Sequence, residues 1–237
     1  MHEDLEPDID AAEDLDGATP QPFRRVFVAG EDEGGRRDAL ALAAALSEPA
    51  EAVGVAERAD LIVTGSARDG AAGRVTLGPS GRALLEGVGC PVAVAPRGLA
   101  ERGDYGLRRI DVGVDGGRGA AAALDLAVRL TLRHDARLRP IAVAEPGATA
   151  PQGDPGEFGR LARRLQQATD GLSEIRVETE LREGLADQII LDLACEADLL
   201  VLGSRADYGN AGRVAIGSVA ARVLNAAPCP TLVVPAA

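Results

Sequence analysis

The residues best placed to do chemistry in this 237-residue chain lie in one glycine-rich stretch. An apolar run, Leu199-Leu200-Val201-Leu202, leads into Gly203-Ser204-Arg205-Ala206-Asp207-Tyr208-Gly209-Asn210. Gly217-Ser218 follows at what reads as a helix start. A loop between the carboxyl end of a parallel strand and a helix N-terminus suits an anion. Glycines let main-chain N–H groups converge, and the helix end adds partial positive charge. Ser218 can cap the helix or donate to a phosphate. Each helix-end contribution is about 0.3–2 kcal/mol, so an anion needs several donors together.

Composition removes most other chemistries. The chain has no Lys, which excludes a P-loop lysine, a Schiff-base lysine and a kinase-type lysine. His2 and His134 are the two histidines and there is no Cys-x-x-Cys, so a standard structural zinc site is excluded. With one His outside the N-terminal segment, no Ser/His/Asp set is suggested, and the carboxylates show no fixed spacing. No catalytic residue is assigned, and the chain is read as a binder rather than an enzyme. Three Phe, two Tyr and no Trp leave no base-stacking platform.

Charge points the same way. Of the 37 acids behind the net charge of −12, eight fall in residues 1–22, which hold no Arg. The other 29 face 25 Arg. Residues 1–22 are read as a disordered acidic tail, and neither part is basic enough for nucleic acid. No apolar stretch reaches the roughly 18 residues of a membrane span, the N-terminus lacks a secretory signal, and three Cys make no disulfide framework. A cytoplasmic protein without membrane partners is expected.

The elements that must position the loop occur twice. Ala59-Asp60-Leu61-Ile62-Val63-Thr64-Gly65-Ser66 matches Ala197-Asp198-Leu199-Leu200-Val201-Leu202-Gly203-Ser204. GAAGRVTLG at 70–78 matches GNAGRVAIG at 209–217, and Cys90-Pro91-Val92 matches Cys229-Pro230-Thr231. Arg24-Arg25-Val26 aligns with Arg108-Arg109-Ile110 at a shorter offset, so the first copy lacks about 54 residues. The second copy predicts strands at 110–114, 138–144, 175–181, 199–202 and 231–234. Helices fall at 119–133, 157–169, 185–196 and 217–227, a β/α alternation implying a parallel sheet covered on both faces. The first keeps strands at 26–29, 61–64 and 92–95, with one more short strand at 52–55, and helices at 36–46 and 80–86. It is small enough to lean on its neighbour. Gly98, Gly103 and Gly106 predict an irregular linker.

On Gly203, Gly217, Ser218 and Pro228-Cys229-Pro230, residues 108–235 resemble a universal stress protein domain, with weaker similarity over 24–96. The family's signature is Gly, two residues, Gly, nine residues, Gly-Ser/Thr, then a Cys-Pro-containing last strand. The resemblance implies an α/β chain of two adenine-nucleotide-hydrolase-like domains with parallel sheets, in the order 3-2-1-4-5 for the second. The division is a tail at 1–22, a truncated domain at 23–97, a linker at 98–107 and a complete domain at 108–237. It also implies binding of ATP or a related adenine nucleotide, with or without magnesium. Asp115 would contact the ribose or adenine end and Val143 would line the adenine pocket. Leu202, Gly203, Arg205, Gly209, Gly217, Ser218 and Val219 would surround the phosphates. The last strands, 92–95 and 231–234, would pair within the chain as a pseudo-dimer, and a dimer of chains stays open.

The sequence departs from that pattern. Ala206 stands where the second Gly is expected, and ten residues rather than nine follow it. A nucleotide-independent interaction scaffold is therefore the alternative reading. In the first copy Arg68 replaces the second Gly, Pro79 the Ser/Thr and Glu31 the Asp, so that copy is expected to bind no nucleotide. Arg68 and Arg74 are read as solvated or interface charges. Cys90, Cys229 and Cys195 are read as buried apolar residues. A Cys90–Cys229 redox pair would require adjacent last strands. His134 is read as a surface residue, and Asp111 as solvent-facing or paired with an Arg.

Overall fold

The computed structural model describes residues 22–47, 51–103, 105–145, 156–204 and 216–236. The expected tail up to residue 21 lies outside the described residues.

In the first part, β1 (Arg25–Ala29) pairs in parallel with β2 (Glu51–Ala52) and β3 (Leu61–Gly65), and β3 with β4 (Val92–Ala95). Helices α1 (Glu33–Ser47) and α2 (Pro79–Gly87) connect them. In the second part, β5 (Arg109–Gly113) lies between β6 (Arg137–Ala144) and β9 (Leu199–Gly203), and β9 pairs with β10 (Thr231–Val234), all in parallel. Short strands β7 (Arg176–Val177) and β8 (Glu180–Glu183) both pair with β6. Helices α3 (Arg118–His134), α4 (Gly156–Thr169), α5 (Ala186–Leu193) and α6 (Ser218–Val223) make the crossovers. Strands β3 and β9 read as unbroken apolar runs because helices cover both faces of the sheet.

The two parts share one ten-stranded sheet, in the order β2-β1-β3-β4-β10-β9-β5-β6-β7, with β8 also on β6. They meet at β4 and β10, which run antiparallel with Thr231 opposite Val94 and Val233 opposite Val92. Strand alternation sends Ala93 and Ala95 to one face, where they join Leu42, Leu130 and Leu232 in a buried cluster. Val92 and Val94 face the other side, with Leu85, Val223 and Val233. Each cluster draws on both parts of the chain.

Local contacts recur at the offsets of the sequence repeat. Asp60 accepts the N–H groups of Arg24 and Arg25, and Asp198 those of Arg108 and Arg109. A Cβ on Gly65 would overlap the Gly35 carbonyl, and one on Gly203 the Gly119 carbonyl. Each helix start therefore abuts a strand end without room for a side chain.

Several expectations are corrected. The strand expected at 175–181 is two, β7 and β8. Opposite the break is Pro140, which has no N–H to give the ladder. Residues 98–107 are not wholly irregular, since Leu99–Arg102 forms a 3-10 turn with Leu99 buried. Gly98, at φ +81°, starts the turn, and Asp38 accepts the N–H groups of Gly98 and Ala100 at 2.9 Å each. Cys195 is exposed, not core. Helix α5 stops at Leu193, and in the 3-10 turn after it Ala194, not Cys195, takes the buried position. His134 is half-buried rather than superficial. Burial and the neighbouring Arg133 hold its imidazole below the usual value. Cys229 is buried and Cys90 half-buried. Their strands are adjacent, but the antiparallel register puts Cys229 opposite Pro96 and Cys90 opposite Pro235. Six residues of extended chain, roughly 20 Å, separate the two positions. Asp111 is fully buried and pairs with Arg139.

Candidate functional site

The carboxyl ends of β5, β6 and β9 open on one side of the sheet, and the starts of α3 and α6 face them. A cavity of about 390 Å³ lies between. Parallel strands ending together make such a crevice wherever neighbouring crossovers leave to opposite faces. Here α3 packs on one face of the sheet and α5 and α6 on the other.

Seven of the nine residues singled out in the sequence line this cavity: Asp115, Val143, Leu202, Gly203, Gly217, Ser218 and Val219. Arg205 and Gly209 lie outside the described residues.

Each lining group has a local reason for its place. Asp115 follows β5, and its Oδ1 accepts the Gly117 N–H at 2.7 Å. That bond turns the chain from strand into α3 and leaves the carboxylate exposed at the rim. Val143 and Ile141 project from β6 on the face shared with Leu202 and Ile190, giving an apolar wall. Gly119 must be glycine, because a Cβ there would overlap the Ser204 carbonyl oxygen. Gly217 is the extended residue before α6, and Ser218 is the first residue of that helix. No side-chain cap bond forms, so Ser218 does not cap α6, and it is exposed at the cavity.

Sequence reasoning missed Gly113, Gly117, Gly119, Ile141, Ile190 and Ser204. The glycines had a readable signal, since they follow the first strand as Asp115-Gly116-Gly117 and open the next helix. Ile141 had the period-2 pattern of β6. Ser204 had none. It is buried, and its Oγ accepts the Ala236 N–H at 3.1 Å while its own N–H goes to the Val234 carbonyl at 2.8 Å. It therefore ties the start of the loop to the end of β10.

The corresponding place in the first part is closed. Gly78 precedes α2 and Pro79 occupies its first position, so one N–H is missing. The Glu31 carboxylate takes the next N–H, with Oε1 accepting that of Ser80 at 3.2 Å. A Cβ on Gly78 would overlap that carboxylate. Glu31 is the residue that the repeat aligns with Asp115. The longer acid reaches across to the helix start, whereas Asp115 folds back on its own turn.

Among the described residues, no group of three or more His, Cys, Asp or Glu side chains is placed to hold a metal, and no helix is long and apolar enough to cross a membrane.

Comparisons with known proteins give the family and the fold. The family model described as the universal stress protein family matches residues 106–235. A universal stress protein of Mycobacterium bovis is 27% identical over 190 residues, covering 75% of this chain and 64% of that protein. The match thus spans less than two thirds of the length of this curated relative. Another, from Synechocystis, is 35% identical over 129 residues, covering 52% of this chain and 82% of its own. The crystal structure of a universal stress protein from Archaeoglobus fulgidus superposes with a TM-score of 0.55 at 21% identity, over 81% of this chain and 68% of that one. That structural likeness is one of fold.

Proposed function

The chain belongs to the universal stress protein family, and on that premise we propose that it binds ATP or a related adenine nucleotide in the cavity beside β5, β6 and β9. The observation that carries the reading is the convergence of Asp115, Val143, Leu202, Gly203, Gly217, Ser218 and Val219 on one cavity. Its volume of about 390 Å³ falls in the range of small-molecule sites, about 300–1,000 Å³. The lining is divided as a nucleotide requires. Val143, Ile141, Ile190 and Leu202 offer an apolar wall to a base. The exposed Asp115 carboxylate can accept from ribose hydroxyls. Gly203, Gly217, Ser218 and Val219 supply main-chain N–H groups, and Ser218 a hydroxyl, for phosphates. Arg205 and Gly209 are assigned to the same phosphate end from sequence. In this reading residues 23–97 are a truncated copy, residues 108–237 are the complete one, and residues 98–107 join them. The β4–β10 junction acts as the seam of an intrachain pseudo-dimer.

The role is binding, with at most slow ATP turnover. His134 stands at the far end of the 17-residue α3, roughly 25 Å from the helix start that lines the cavity. The family, the fold and the cavity support a stress-response regulator in which bound nucleotide alters a partner surface.

Isothermal titration of the full chain with ATP, with magnesium and then with EDTA, tests this. We expect saturable uptake at one site. Asp115→Ala should weaken it about tenfold or more, the loss expected for hydrogen bonds to a charged group. No heat at near-millimolar nucleotide overturns the reading. That result, with the fold intact, would favour the interaction scaffold instead, for which Ala206 and the ten-residue spacing speak.

A further inference from the structure

Helix α6 forms part of the cavity wall; Arg222 ties it to Asp187 of α5 at 3.1 Å, and the turn after it is held from the first part of the chain. The helix has six residues, Ser218–Val223, and is roughly 9 Å long. Its own last carbonyls are satisfied locally, that of Ala221 by the Asn225 side-chain amide at 2.7 Å. The N–H groups of Leu224, Asn225, Ala226 and Ala227 go to the carbonyls of Ala220, Arg222, Val223 and Val223. In the turn that follows, Leu224 and Ala227 are buried and Ala226 is half-buried, and buried main-chain acceptors need partners; three carbonyls of this turn, those of Leu224, Ala226 and Ala227, are reached from outside it. All three partners come from the first part. Leu77 N–H reaches the Leu224 carbonyl at 3.1 Å, Val75 N–H the Ala227 carbonyl at 2.8 Å, and Arg74 Nη1 the Ala226 carbonyl at 2.7 Å. Val75 and Leu77 are also buried in one cluster with Ala220, Val223, Leu224 and Ala227.

These donors are themselves anchored. Ser66 Oγ donates to the Ala95 carbonyl at 2.7 Å and accepts the Thr76 N–H at 3.1 Å, while Arg97 N–H holds the Arg74 carbonyl at 3.1 Å. The other end of α6 is the cavity, where Gly217, Ser218, Val219 and Ala220 line it. A helix this short has no internal hinge, so a shift at its carboxyl end is carried to its start.

We infer that the loop at residues 70–78, the first part's copy of the glycine-rich loop, is a brace that positions α6 in the nucleotide cavity of the second part, with Arg74 as its side-chain positioning residue. The inference rests on the nucleotide-binding reading above for its functional consequence, but the brace itself does not. Pro79 and the Glu31 carboxylate occupy the helix start beside this loop, and the N–H groups of Val75 and Leu77 and the Arg74 side chain serve the turn after α6.

The test uses the full chain carrying Arg74→Ala, Arg74→Glu or Arg74→Lys. ATP affinity is measured by titration, thermal stability by scanning, and α6 mobility by amide hydrogen exchange without nucleotide. We expect Arg74→Ala to raise Kd about threefold to fivefold, the worth of one net hydrogen bond. Arg74→Glu, which sets a carboxylate against the Ala226 carbonyl, should raise it tenfold or more, and Arg74→Lys should restore most of the affinity. Residues 218–227 should exchange faster in the Ala and Glu variants, with the rest of the sheet protected as in the native chain. Native Kd in Arg74→Glu overturns the brace, and so does a loss of affinity that merely tracks a global fall in Tm. Should the native chain take up no nucleotide, the functional reading falls by itself. The exchange arm then decides: faster exchange confined to 218–227 upholds the brace, and unchanged exchange overturns it.

Discussion

Asp111 shows how much a single position can depend on its cross-strand neighbour. It sits in the middle of β5, fully buried, directly opposite Arg139 of β6. Burial pushes its carboxyl up, and the Arg139 guanidinium pulls it back through bonds of 2.9 and 2.7 Å. Arg139 also donates to the Leu193 carbonyl at 2.6 Å and to Glu196 at 3.2 Å, so its charge is held at several points. Asp111→Ala would leave that guanidinium buried beside a void. The expected cost is about 3–5 kcal/mol, read as a fall in the urea midpoint. The double variant Asp111→Ala/Arg139→Met should recover part of the loss, because no charge is then stranded. A midpoint unmoved by Asp111→Ala would mean that Glu196 alone suffices for Arg139.

At the scale of elements, the close approach of helix starts to strand ends sets the architecture of the site. Gly119 opens α3 against the backbone of Ser204, and Gly203 ends β9 against Gly119. Gly35 and Gly65 repeat the arrangement in the first part. Backbone cannot yield as a side-chain tip does, so Gly119→Ala must push α3 off β9. We expect a destabilisation of about 1–3 kcal/mol or more by urea denaturation, with nucleotide uptake lost as the cavity mouth changes. Gly106→Ala is the control, since nothing lies within 4 Å of a Cβ there, and it should leave both measurements near native. These glycines could be read from the sequence only as breakers or loop residues. Their shared role became visible once α3 and β9, some eighty residues apart in sequence, were seen to touch.

At the scale of the whole molecule, the two parts are not beads on a string. The sheet runs unbroken through the antiparallel β4–β10 junction, and both buried clusters contain side chains from each part. The brace from residues 70–78 adds a second seam. Domains that share a core in this way should unfold together. Urea unfolding of a Tyr208→Phe variant, followed by far-ultraviolet circular dichroism and by the fluorescence of the remaining Tyr105, should therefore give one coincident transition. Tyr105 is suited to report on the seam, because its hydroxyl donates to the Asp198 carbonyl while its residue lies between the parts. Two separated transitions would show that the parts fold independently.

The sequence determined the alternation of strands and helices, the buried runs of β3 and β9 and the offset copies of each motif, and its family resemblance pointed to seven of the residues lining the cavity. These are local properties: apolar periodicity and turn chemistry act over a few residues and so are written in order along the chain. It also showed that the first copy has one N–H fewer at its helix start, since Pro79 removes an N–H wherever it stands. Tertiary structure alone decided that the Glu31 carboxylate takes the Ser80 N–H, that Cys90 and Cys229 lie at opposite ends of paired strands, and that Cys195 faces outward. It alone decided that Arg74, Val75 and Leu77 serve the end of α6. Those outcomes depend on strand direction, register and the distance between groups remote in sequence. Such quantities exist only once the sheet has closed across its antiparallel seam.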